Sequence, residues 1–104
     1  MATDPKRYTR LMGLEIHDAA MYAKYRAAMK PFLDAHGGAF GVDLEVARVL
    51  LSPAEGPINR VFTISFPSRE ANDRFLADPG YRAVRKEYFD ASVSRASILG
   101  EWGG

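Results

Sequence analysis

The chain has 104 residues, of which 47% are hydrophobic and 26% charged. That suits one folded domain with a modest core and excludes wholesale disorder. Fourteen Lys and Arg against thirteen Asp and Glu leave a net charge of +1, too even for a globally basic nucleic-acid binder. The absence of cysteine removes disulfides, thiol catalysis, iron–sulfur clusters and cysteine-ligated zinc. No apolar signal core follows the opening Met1-Ala-Thr-Asp-Pro-Lys-Arg7, and no apolar run is long enough to span a membrane. The expectation is a cytoplasmic protein without membrane or nucleic-acid partners.

The first periodic segment runs from Tyr8 to Ile16. Tyr8, Met12, Leu14 and Ile16 share one parity and Leu11, Gly13, Glu15 and His17 the other, which predicts a strand. Asp18 offers a capping carboxylate to an alanine-rich helix whose apolar stripe is Met21, Tyr25, Ala28 or Met29, and Phe32. Pro31 removes a backbone donor and is expected to kink that helix or start a new turn. Gly37-Gly38 stops it. Phe40, Val42, Leu44 and Val46 alternate with polar residues as a second strand, which a continuation through Leu51 would lengthen.

Ser52 to Asn59 holds two prolines and a glycine and reads as a loop. Arg60 to Phe66 alternates again and is rich in Val, Phe, Ile and Thr, a third strand. Pro67 ends it and Ser68 caps a short helix. Asp78-Pro79 is a second helix start, with Tyr81, Val84, Tyr88 and Phe89 as the apolar stripe. Ser94 to Glu101 reads as a fourth strand. The order βαββαβ predicts a ferredoxin-like α+β fold, a four-stranded antiparallel sheet with helices on one face, and a core over about residues 8–101.

Helices cover one face of such a sheet, and Met12, Leu14, Ile16, Phe62, Ile64 and Phe66 are assigned to it. The other face then carries Leu11, Gly13, Glu15, His17, Val61, Thr63 and Ser65, with Arg95, Ser97 and Leu99 from the fourth strand. That face is apolar enough to favour burial, and a homodimer packed sheet against sheet is the simplest symmetric way to bury it.

Several stretches also resemble a known family. Tyr22-Ala-Lys-Tyr25, Asp34-Ala-His-Gly-Gly38, Arg60-Val-Phe-Thr-Ile-Ser-Phe-Pro-Ser68, and Phe75 with Asp78-Pro-Gly-Tyr81 occur in the order and spacing of domain-of-unknown-function family 1330. The resemblance runs from about Leu11 to Glu101. It implies a protomer of the dimeric α/β-barrel superfamily with facing sheets. That superfamily holds cofactor-independent monooxygenases, haem-handling proteins, isomerases and ligand sensors, so the fold alone selects no chemistry. The family pattern often has an arginine late in the second helix, where this chain has Tyr88-Phe89. Arg85 is the available substitute, or the ligand is less anionic.

His17, beside Asp18 at a strand end, is the candidate general base, because imidazole titrates near neutrality. Glu15 lies on the same parity, roughly 7 Å away along the strand, and could accept a proton or pair with Arg95. Arg60 is the candidate for holding a carboxylate or enolate. Tyr25, Phe62, Phe66 and Tyr81 are the expected ligand-lining residues, and His36 is a secondary one. Each also has a plain structural reading: a solvated turn, an ion pair, or a core position with a polar tip.

Two histidines far apart in sequence make no metal-ligand set, and no phosphate loop, serine elbow or RNA-stacking signature is present. Three readings therefore stand. One is an enzyme acting on a small enolisable or aromatic metabolite without metal or bound organic cofactor. Another is a non-catalytic small-molecule-binding or stress-related accessory dimer. The third is a purely structural dimer with no pocket ligand.

Overall fold

The period-two segments become strands at the expected places. In the computed structural model, which describes residues 7–104, β1 is Tyr8–Ile16, β2 is Ala39–Glu45, β3 is Arg60–Phe66 and β4 is Val93–Trp102. The signal-peptide reading of residues 1–6 lies outside the described residues. The strands form one antiparallel sheet in the order β2-β3-β1-β4, the ferredoxin-like arrangement. Among the described residues, no helix is long and apolar enough to cross a membrane.

The helices begin where their caps are. Asp18 accepts the Met21 amide at 3.0 Å and opens α1, Ala19–Ala35. Ser68 accepts the Ala71 amide at 3.1 Å and opens α2, Arg69–Ala77. Asp78 accepts the Gly80 amide at 2.8 Å and opens α3, Pro79–Val84, with proline at its first turn. α1 ends in a Schellman arrangement: Gly37 at φ 71° donates to Asp34 at 3.1 Å, and Gly38 donates to Leu33 at 2.9 Å.

Three expectations change in detail. α1 continues through Pro31, because both Pro31 and Ala27 face solvent and water can serve the carbonyl that loses its partner. The stripe after Asp78 is not one α-helix. It passes into a π-helical turn, Arg85–Phe89, closed by the Asp90 amide on the Arg85 carbonyl, before a last short turn, Asp90–Ser92. β2 does not reach Leu51. A bulge between Phe40 and Asp43 resets its register, so Phe40 lies opposite Ile64, Asp43 opposite Phe62 and Leu44 opposite Val61. Phe40 and Asp43 therefore point toward the helices and Leu44 to the other face.

The core fills the space between sheet and helices. Leu14, Ile64 and Phe66 from the sheet meet Met29 and Leu33 of α1 and Phe75 of α2, all buried. The assignment of the even positions of β1 and β3 to the covered face is correct. The opposite face is partly covered by the chain itself. Residues 46–59 fold back over it, and Ile58 is buried against Gly13, where any Cβ would come within 3.0 Å of both Ile58 and Leu99. Asn59 anchors this segment to β1, its side chain bonding the Ile16 amide at 2.8 Å and the Ile16 carbonyl at 2.7 Å.

Candidate functional site

A cavity of about 60 Å³ lies between the sheet and the helices. Met12 and Leu14 of β1 and Phe62 and Ile64 of β3 form its floor. Tyr22, Tyr25 and Met29 of α1 form one wall, and Phe75, Tyr81 and Phe89 form the other. Tyr25 and Tyr81 meet across it with hydroxyls 2.8 Å apart. Their rings are held from behind, Tyr25 edge-on to Phe89 at 5.0 Å and Tyr81 against Phe75 at 4.0 Å between centroids. Burial, reinforced by the Tyr81 hydroxyl, pushes the Tyr25 phenol far above its ordinary value. Tyr25 is therefore a hydrogen-bonding group at neutral pH and not a proton acceptor.

Three arginines reach the lining. Arg26 is committed: its Nε donates to the Tyr22 hydroxyl at 2.8 Å, its guanidinium meets Asp43 at 3.3 Å, and it lies 3.9 Å over the Phe40 ring. Arg85, from the π-helical turn, stacks on Phe89 at 4.8 Å. Arg10 stands on β1 between Tyr8 and Met12, on the helix-covered face. Its Nε is sealed from solvent and has no hydrogen-bond partner among the described residues. Among the described residues, its guanidinium has one hydrogen-bond partner, the Met12 sulfur at 3.7 Å. Burial pulls the Arg10 pKa down, but a guanidinium keeps its charge at neutral pH.

Of the residues expected to line a ligand, Tyr25, Phe62 and Tyr81 line the cavity. Phe66 is fully buried on the same sheet face, against Phe75, and outside the lining. His36 ends α1, and its Nε2 sits 2.9 Å from Asp78 Oδ2. That contact joins the end of α1 to the cap of α3, three residues before Tyr81 enters the wall. The bond to His36, with the Gly80 and Tyr81 amides, holds the Asp78 carboxyl below the usual carboxylate range.

Glu15, His17 and Arg60 are not gathered at the cavity. Arg60 forms a two-pronged pair with Asp43 at 2.8 and 2.9 Å, the bond that most lowers the Asp43 pKa. Glu15 faces the other side of the sheet, opposite Arg95, but Arg95 donates to the Glu55 carbonyl at 2.6 Å. His17 is exposed; its backbone amide bonds Ser92 at 2.9 Å, and its ring has no hydrogen bond among the described residues. Sequence reading missed Arg10. The available signal was a charged residue at the buried parity of a strand.

Beyond the cavity, residues 46–59 and the outer sheet face enclose an open apolar groove lined by Val49, Leu50, Leu51, Ile58, Val61 and Leu99.

Comparison with known proteins gives the fold and a family. A protein of unknown function from Rhodopseudomonas palustris superposes with a TM-score of 0.76 at 21% identity, covering 92% of this chain and 81% of that one. A dabb family protein with a ferredoxin-like fold from Mesorhizobium loti gives 0.68 at 14%, covering 94% and 96%. SnoaB, a cofactor-independent oxygenase from Streptomyces nogalater, gives 0.59 at 17%, covering 91% and 92%. No curated protein matches. The model of a family described as a domain of unknown function, DUF1330, matches residues 8–101, and the chain belongs to that family.

Proposed function

We propose that this protein binds a small metabolite in the cavity between sheet and helices, and does so as a homodimer with facing sheets. The observation that carries the reading is the cavity itself: a largely apolar floor and walls, with ordered polar contacts at Tyr25–Tyr81, positioned across it, and at Tyr22–Arg26. A few polar groups that orient a ligand within an apolar enclosure are the usual makeup of a small-molecule site. The dimer is supported by the outer sheet face, where Leu50 and Leu51 are 83% and 94% exposed beside an apolar groove.

The second reading is a cofactor-independent enzyme acting on an enolisable or aromatic metabolite, with His17 or Glu15 taking a proton and Arg60 stabilising the oxyanion. Among the described residues, the unbonded His17 ring and the absence of a salt bridge at Glu15 favour keeping it, and the fold shared with SnoaB is compatible with it. Against it, the cavity lining contains no His, Asp or Glu among the described residues, and Tyr25 holds its proton. Binding without turnover is therefore the better supported of the two.

A thermal-shift screen of small metabolites, with mass spectrometry on every hit, separates the readings. Stabilisation without conversion is the expected result. Conversion of a hit would replace the binding reading with the enzyme. A screen without stabilising ligands would remove both.

A further inference from the structure

We infer that the cavity is a carboxylate site and that Arg10 is the residue that holds the anion. The inference rests on the cavity being a small-molecule site and adds the class of ligand.

A buried guanidinium is normally matched by a carboxylate or by several carbonyls, because a charged group removed from water without partners is costly. Arg10 lacks that match among the described residues. The side chain is half-buried; its Nε is enclosed and unbonded, and a thioether is its one side-chain hydrogen-bond partner among the described residues. A suitable acid is nearby in register. Glu101 stands opposite Arg10 on β4, yet its carboxylate accepts from the Tyr8 hydroxyl at 2.7 Å and faces Arg69 at 3.7 Å. The fold thus leaves a planar, two-pronged donor at the edge of a cavity whose lining holds no acid.

Besides Arg26, Arg85 adds a further positive charge to the same lining; it opens the π-helical turn, and helical irregularities of this kind often mark functional positions. With Arg26 matched by Asp43, two arginines without an acid partner among the described residues remain in one small enclosure, which favours an anionic guest. The guanidinium fork matches a carboxylate in shape. Met12, Leu14 and Phe62 would take the carbon skeleton. At about 60 Å³ the enclosed space is well below the ~150 Å³ that accommodates benzene, but the cavity is partly open, so it takes the carboxylate and first carbons of a short chain whose remainder extends toward the opening, and not a nucleotide.

The test titrates the full chain with propionate and butyrate, and with propionamide and butyramide as neutral isosteres. Inorganic phosphate is included, and ionic strength is held constant. The carboxylates should bind at least about tenfold more tightly than the amides, as expected for charge-assisted hydrogen bonds. Arg10→Gln should abolish that preference while leaving the unliganded protein as stable as before or more so, since an enclosed donor without a partner is removed. A structural arginine would behave oppositely, its loss destabilising the protein and sparing the preference. If Arg10→Gln does not fold, Arg10→Lys keeps the charge without the fork and should still reduce the preference. Amides binding as well as carboxylates would overturn the carboxylate assignment and leave the cavity reading intact, as would phosphate binding more tightly than butyrate. Failure of every probe, amides included, would count against the cavity reading as well.

Discussion

Asp43 shows how one residue, set by a bulge, organises a corner of the molecule. The register shift in β2 turns it toward the helices, where Arg60 holds it at 2.8 Å and Arg26 at 3.3 Å. The hydrogen bond from Arg60 is the main cause of its lowered pKa. A carboxyl whose folded pKa lies below its unfolded value binds fewer protons when folded. Its stabilisation is present above about pH 4 and is lost as pH falls through the folded value. Asp43→Asn should therefore lower the urea midpoint at pH 7, and the gap to the parent should narrow toward pH 2. A gap that does not change with pH would show that the pair contributes nothing through ionisation. At this scale the sequence was only partly legible. Tyr25, Phe62 and Tyr81 could be found from helical and strand periodicity. The pairing of Arg60 could not, because it depends on a bulge that alternation does not reveal. Arg10 was hidden by its neighbours, since Tyr8, Met12 and Leu14 already explained the strand.

The elements follow their local signals closely. Caps at Asp18, Ser68 and Asp78 and the stop at Gly37 are short-range chemistry, and each is legible from two to four adjacent residues. Gly37 is the strictest of them. Its φ of 71° is a conformation that side chains with a Cβ resist, and an added Cβ would lie 2.8 Å from the Pro67 ring. Gly37→Ala should cost about 1–2 kcal/mol in chemical denaturation. A loss much below that would mean the α1 terminus relaxes freely. The π-helical turn was less legible. Its single extra residue leaves the apolar composition of the stripe unchanged while rotating the helical positions around it, so Phe89 reaches Tyr25 and Arg85 reaches the cavity.

At the scale of the whole molecule, sheet order and the helix-covered face are set by element order and strand parity. The path of residues 46–59 is not, because a loop's course over a sheet depends on long-range contacts such as Ile58 on Gly13 and Arg95 on Glu55. That loop presents Leu50 and Leu51 outward. If a second copy covers them, Leu50→Asp with Leu51→Asp should convert a dimer to a monomer in sedimentation with little change in the fold. A parent chain that already sediments as a monomer at high micromolar concentration would refute the facing-sheet dimer.

The cavity reading can be tested directly by methyl NMR. Met12 and Met29 line the cavity, whereas Met21 lies outside its lining. With methionine methyls labelled with carbon-13, titration with butyrate should move the Met12 and Met29 signals together, saturably, and leave Met21 in place. Butyrate that shifts no methionine, or that shifts Met21 alone, would contradict a ligand site between the sheet and the helices.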